Sequence, residues 1–132
     1  MKYLMDTHVW IWSQIQPDKL SPAAKRVLGA TEKYDELLLS AISIWEFGIL
    51  TKRGRLAISA PANDWLGAAL NLPKMRVVPI TSSVAFQATN LPGNFHQDPA
   101  DQMIVASARI EQATLVTADK LIRDYPNVRT CW

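Results

Sequence analysis

Tyr3-Leu4-Met5-Asp6-Thr7-His8-Val9-Trp10 is the stretch that decides the fold. The short apolar run Tyr3 to Met5, ending in Asp6, reads as a buried strand. Thr7 to Gln14 follows with Val9, Trp10, Ile11 and Trp12 and predicts a helix. The same pairing recurs outward along the chain. Leu37-Leu38-Leu39-Ser40 is a second buried strand, and Ile42 to Lys52 a helix after it. Lys52-Arg53-Gly54-Arg55 suits that helix's C-terminus, where cations complement the dipole and glycine takes a left-handed cap. Arg76-Val77-Val78-Pro79-Ile80 is a third strand, placed at an edge by its proline, which removes a ladder donor. Ala113 to Thr117 forms a fourth strand and Val128 to Thr130 a last one.

Helical stretches fill the intervals. Ser21-Pro22 supplies an N-cap and a first-turn proline for a helix running to about Lys33. Pro61 to Leu72 and Thr81 to Asn90 predict two more. Asp98 or Pro99 opens the longest, Ala100 to Gln112, and Lys120 to Arg123 makes a helical turn. Strands separated by helices require crossover connections, hence a parallel sheet with helices on both faces. The expectation is one α/β domain over residues 1–132.

Composition narrows the chemistry. The lone Cys131 forms neither an internal disulfide nor a multi-cysteine zinc site, and His8 and His96 are the only histidines. Any metal chemistry must therefore rest largely on oxygen ligands. A net charge of +2 is a weak pointer to nucleic acid. With no apolar run of about 18 residues and no signal peptide, no membrane is expected and a cytoplasmic location is the default.

Among the 12 Asp and Glu residues, five stand out by position. Asp6 ends the first strand and Asp119 lies just past the fourth. Asp98 and Asp101 open the longest helix, in His96-Gln97-Asp98-Pro99-Ala100-Asp101. In an open parallel sheet, ligands bind outside the carboxyl ends of the strands, which is where these acids gather. Helix capping is the competing account of each Asp, since all three stretches suit helix starts. Glu46 is different, because Ile44, Trp45, Phe47, Ile49 and Leu50 make nearly every face of its helix apolar. A partly buried carboxylate needs either a Lys or Arg partner or a bound cation. Converging carboxylates also raise one another's pKa, and a divalent ion resolves the repulsion. Oxygen-only sites suit Mg²⁺ or Mn²⁺ rather than zinc. Phosphodiester hydrolysis is the chemistry that commonly uses them, with Asp101 a candidate to orient the water.

Four segments carry these acids: Tyr-Leu-Met-Asp6-Thr-His-Val-Trp, Ser-Ala-Ile-Ser-Ile-Trp-Glu46, His96-Gln-Asp98-Pro-Ala-Asp101-Gln-Met-Ile-Val-Ala and Leu-Val-Thr117-Ala-Asp119. In order and spacing they resemble the signature motifs of PIN-domain nucleases, and most closely the VapC type of bacterial toxin–antitoxin ribonucleases.

The resemblance implies a three-layer α/β/α sandwich with a mostly parallel central sheet. It implies Asp6, Glu46, Asp101 and Asp119 as the catalytic, metal-binding core, with Asp98, Thr117 and Thr7 as accessory residues. It further implies an endoribonuclease dependent on one or two Mg²⁺ or Mn²⁺ ions, a homodimer, an RNA substrate and a cognate antitoxin protein that inserts a segment into an apolar groove. One departure is mild: the family segment commonly reads Asp-Pro-Phe-Asp-Arg, whereas residues 98–102 are Asp-Pro-Ala-Asp-Gln.

Lys52, Arg53 and Arg55 form the densest basic cluster and are the first candidates for RNA phosphate contacts, ahead of Lys74 with Arg76 and Lys25 with Arg26. A solvated surface is the competing account of each. His8 and His96 flank the acids and suit orienting hydrogen bonds. Glu36, Glu111 and the remaining acids read as surface or capping residues. A receiver domain is disfavoured because Asp6 stands alone, and an Asp-x-Asp phosphatase is excluded because position 8 is His. The alternative from another class is a PIN-like domain without catalysis, acting in RNA binding or protein assembly.

Overall fold

The computed structural model describes residues 1–132. Five strands, β1 (Lys2–Met5), β2 (Glu36–Ser40), β3 (Met75–Val78), β4 (Thr114–Val116) and β5 (Thr130–Cys131), form one sheet in the order β3-β2-β1-β4-β5. Every pairing is parallel, and Leu4 lies opposite Leu38 on one side and Leu115 on the other. Seven helices accompany them: α1 (Thr7–Ile15), α2 (Pro22–Gly29), α3 (Ala41–Lys52), α4 (Ala62–Ala69), α5 (Ser82–Ala88), α6 (Pro99–Glu111) and α7 (Lys120–Arg123).

Alternation along the strands divides the core in two. Met5, Leu37, Leu39 and Val116 point to one face, where Val9, Trp10, Ala24, Phe47 and Ala69 from α1 to α4 cover them. Leu4, Leu38, Val78 and Leu115 point to the other, packed by Ile104, Val105 and Ala108 of α6 and Ile122 of α7. Period-two side chains feeding two helical layers make the three-layer sandwich.

The helices start where their sequences say. Ser21 accepts from the Ala24 N–H, Ser40 from the Ile42 N–H and Thr81 from the Val84 N–H. At the end of α3, Gly54 takes φ +65°, the left-handed cap its position anticipates. Some boundaries differ from the sequence reading. Helix α2 stops at Gly29, not Lys33, and α4 stops at Ala69, short of Leu72. The last strand is Thr130–Cys131, slid toward the C-terminus. Strand β3 is at the edge as expected, and Pro79 follows its last residue.

The strand order reverses between β1 and β4. Connections from β1 run outward through β2 to β3, while β4 and β5 lie on the other side. The crevice at such a switch point, at the carboxyl ends of the strands, is where open parallel sheets place a site.

Candidate active site

Asp6 leaves β1 directly into the switch-point crevice. Its Oδ1 accepts from the Thr7 N–H at 2.8 Å, which caps α1, and its Oδ2 accepts from Thr117 Oγ1 at 2.6 Å. Only 5% of the residue is exposed. Burial pushes its carboxyl pKa up and the nearby Asp119 adds to that, against the pull of Thr117, Thr7 and His8.

Asp119 follows β4 and caps α7, accepting from the Leu121 N–H at 2.8 Å. Its own N–H donates to Thr117 Oγ1 at 3.0 Å. Thr117, fully buried, therefore donates to one acid and accepts from the backbone of another.

Glu46 lies on α3, which starts immediately after β2. It is half-buried, and its Oε1 accepts from Thr7 Oγ1 at 2.6 Å. Thr7 commits its single hydroxyl proton to Glu46, so the buried Ser43 hydroxyl, 2.7 Å away, must be the donor to Thr7. Burial raises the Glu46 pKa first, with Asp6 and Asp98 contributing. No Lys or Arg pairs with it: the chain's ion pairs lie elsewhere.

Asp98 caps α6 by accepting from the Asp101 N–H at 2.9 Å. Asp101 sits in the first turn, its Oδ2 2.7 Å from His96 Nε2. Burial, opposed by His96 and assisted by the charges of Asp6, Asp98 and Asp119, lifts its pKa to about 6. Capping and clustering are thus compatible accounts: Asp6, Asp98 and Asp119 do both.

All four core acids expected from the sequence are brought to one edge of the sheet, with Thr7, Thr117 and Asp98 beside them. No three His, Cys, Asp or Glu side chains are drawn together tightly enough to enclose an ion as they stand. The donor set nevertheless fits a hard divalent cation: buried and half-buried carboxylates, oxygen ligands, and no Lys or Arg paired with Glu46. A cavity of about 500 Å³ lies elsewhere, lined by Arg109, Gln112, Asn127 and Arg129 among others. It abuts the starts of β4 and β5, and none of Asp6, Glu46, Asp98, Asp101 and Asp119 lines it.

Other residues fall differently. Lys52 is exposed at the end of α3, about 9 Å of helix rise beyond Glu46, and Arg53 and Arg55, also exposed, follow the helix. Arg76 is not a free cation, because it pairs with Glu36 at 2.6 Å and Glu111 at 2.9 Å. Glu36 and Glu111 are accordingly partly buried partners of Arg76 and Lys2, where a plain surface role was expected. His96 makes the orienting bond expected of it, whereas the ring of His8 lies tilted against Trp12, with no hydrogen bond to an acid. Ser43 was missed by sequence reasoning, although it precedes Glu46 by three residues and so shares its helix face.

A parallel sheet with acids at its switch point is the architecture of a PIN domain, and the PIN domain family model matches residues 3–128. The chain belongs to the PIN domain family. It is 38% identical over 131 residues to Ribonuclease VapC22 of Mycobacterium tuberculosis (strain ATCC 25618 / H37Rv), covering 98% of this chain and 97% of that protein. Among solved structures it resembles VapBC2 from Rickettsia felis bound to a promoter DNA fragment, with TM-score 0.70, 17% identity, and 98% and 97% of the two chains covered. It also resembles the sarcin-ricin loop cleaving toxin VapC20 of Mycobacterium tuberculosis, with TM-score 0.63, 18% identity, and 96% and 98% covered. No helix is long and apolar enough to cross a membrane.

Proposed function

We propose that this chain is a metal-dependent endoribonuclease, the toxin of a VapBC-like pair, whose catalytic and metal-binding residues are Asp6, Glu46, Asp101 and Asp119. The observation that carries the reading is Glu46: a half-buried carboxylate with no Lys or Arg partner, hydrogen-bonded by Thr7 next to Asp6. Its relatives' names support RNA as substrate and an antitoxin as partner.

One or two Mg²⁺ or Mn²⁺ ions, when bound, would lower the pKa of a water and neutralise charge on the departing oxygen. The chain's own residues do the rest. Thr117 fixes Asp6, and Thr7 and Ser43 fix Glu46, so both carboxylates present preset oxygens. Asp101, in the first turn of α6 and 2.7 Å from His96, is placed to orient the attacking water and to receive the proton it loses. The water oxygen bonds to phosphorus as the phosphorus–oxygen bond to one flanking ribose breaks. The alternative, a silent RNA-binding or assembly domain, keeps the fold but not the cut.

Cleavage of total cellular RNA with Mg²⁺ or Mn²⁺ tests this, comparing wild type with Glu46→Gln. Discrete fragments are expected from wild type alone, and none with EDTA. Equal cleavage by both proteins would place the activity outside this site.

A further inference from the structure

Beside the acids lies a cavity of about 240 Å³ lined by Asp6, His8, Trp12, Ala118 and Asp119. Its two aromatic walls stand one helical turn apart on α1. Their ring centroids are 5.8 Å apart with planes inclined at 47°. His8 is exposed and Trp12 half-buried. Trp10 shows the contrast: it is fully buried and donates to the Ala69 carbonyl at 3.0 Å. Trp12 is further held by Trp132, at 6.2 Å, and Lys19 Nζ stands 5.5 Å from its ring.

We propose that this cavity is a nucleobase subsite, in which a base next to the cleaved phosphodiester stacks on Trp12 and His8. The inference rests on the nuclease reading and deepens it. Three features select a base as occupant. Aromatic faces take any nucleobase, since each has a π-face, without needing a hydrogen-bond code. The volume is below the roughly 300–1,000 Å³ of pockets for drug-sized ligands, so it suits one ring system rather than a longer group. The same cavity includes Asp6 and Asp119, so a base seated there has its phosphate beside the acids.

The test uses the Glu46→Gln protein with Mg²⁺, which keeps RNA uncut. Binding of a ten-residue oligoadenylate is compared with that of an abasic ribose-phosphate chain of equal length. Oligoadenylate is expected to bind about 10- to 100-fold tighter. Adding Trp12→Leu should remove that advantage, Trp12→Phe should restore most of it, and the exposed-site change His8→Ala should reduce it. Circular dichroism checks that each variant folds. Equal binding of both polymers, or an advantage untouched by Trp12→Leu and His8→Ala, overturns the subsite. If wild type cuts RNA while the polymers bind equally, the subsite fails and the nuclease reading survives. If it cuts none but keeps the Trp12-dependent preference, the subsite stands and the nuclease reading fails.

Discussion

Thr117 Oγ1 donates to Asp6 Oδ2 across 2.6 Å, joining the end of β4 to the end of β1 at the point where strand order reverses. The same oxygen accepts from the Asp119 N–H, so one hydroxyl sets the position of two acids. Thr117→Val keeps the shape and removes both bonds. It should cost about 1–3 kcal/mol, because a buried carboxylate oxygen and an N–H lose partners. RNA cleavage should fall with it, and Thr117→Ser should recover most of both. Thermal melts and initial cleavage rates measure the two effects.

Asp101 has a folded pKa of about 6, above the ordinary 3.8 of an aspartate. Its charged form is therefore disfavoured by folding. Wild-type stability should fall as pH rises from about 4 through 6, as this group ionises. Asp101→Asn removes that penalty and should raise the melting temperature at pH 7 by a few degrees, about 1–2 kcal/mol once solvent screening is allowed for. The gain should vanish below pH 4, where the wild-type carboxyl is protonated. Activity should be lost in the same variant. Melts from pH 4 to 8 without divalent metal decide it.

Added Mn²⁺ should raise the wild-type melting temperature with a concentration dependence, since only the folded chain assembles the acids. Asp6→Asn and Glu46→Gln should each flatten that response. A wild type indifferent to Mn²⁺ would count against the metal reading.

Much of this was legible in sequence because the signals were local. Strand-then-acid at Met5-Asp6 and strand-then-acid at Val116 to Asp119 placed two carboxylates at one sheet edge once a parallel sheet was inferred. The apolar surroundings of Glu46 anticipated its half-burial. What escaped was long-range pairing. Glu36 and Glu111 meet Arg76 across two strands and a helix end, and nothing near them in sequence signals that. Nothing near Trp12 in sequence signals its opening onto Asp119 either, since that depends on the β4–α7 connection.

The Arg76 network offers a pH response of opposite sign. Arg76 holds the Glu36 and Glu111 carboxyls below their ordinary value of 4.5. The contribution is present above about that pH and lost as pH falls through the depressed folded values. Arg76→Gln should therefore lower the melting temperature at pH 7, with the difference shrinking in acid. High salt should shrink it too, because the groups are partly open to solvent.

Lys52 ends α3 about 9 Å of axial rise beyond Glu46, and Arg53 and Arg55 follow it, so the cluster lies past the end of the helix that carries the acid. If all three meet phosphates, each contributes about 0.7 to the slope of log affinity against log salt for a single strand. Replacing the three with Gln should then reduce the slope by about 2, measured on the Glu46→Gln protein between 50 and 200 mM salt, roughly the range over which such slopes are resolved. The Mn²⁺ response of the melting temperature should be unchanged, because none of the three touches a carboxylate of the site. An unchanged slope would return the cluster to an ordinary solvated helix end, where the cations serve the dipole of α3 and nothing more.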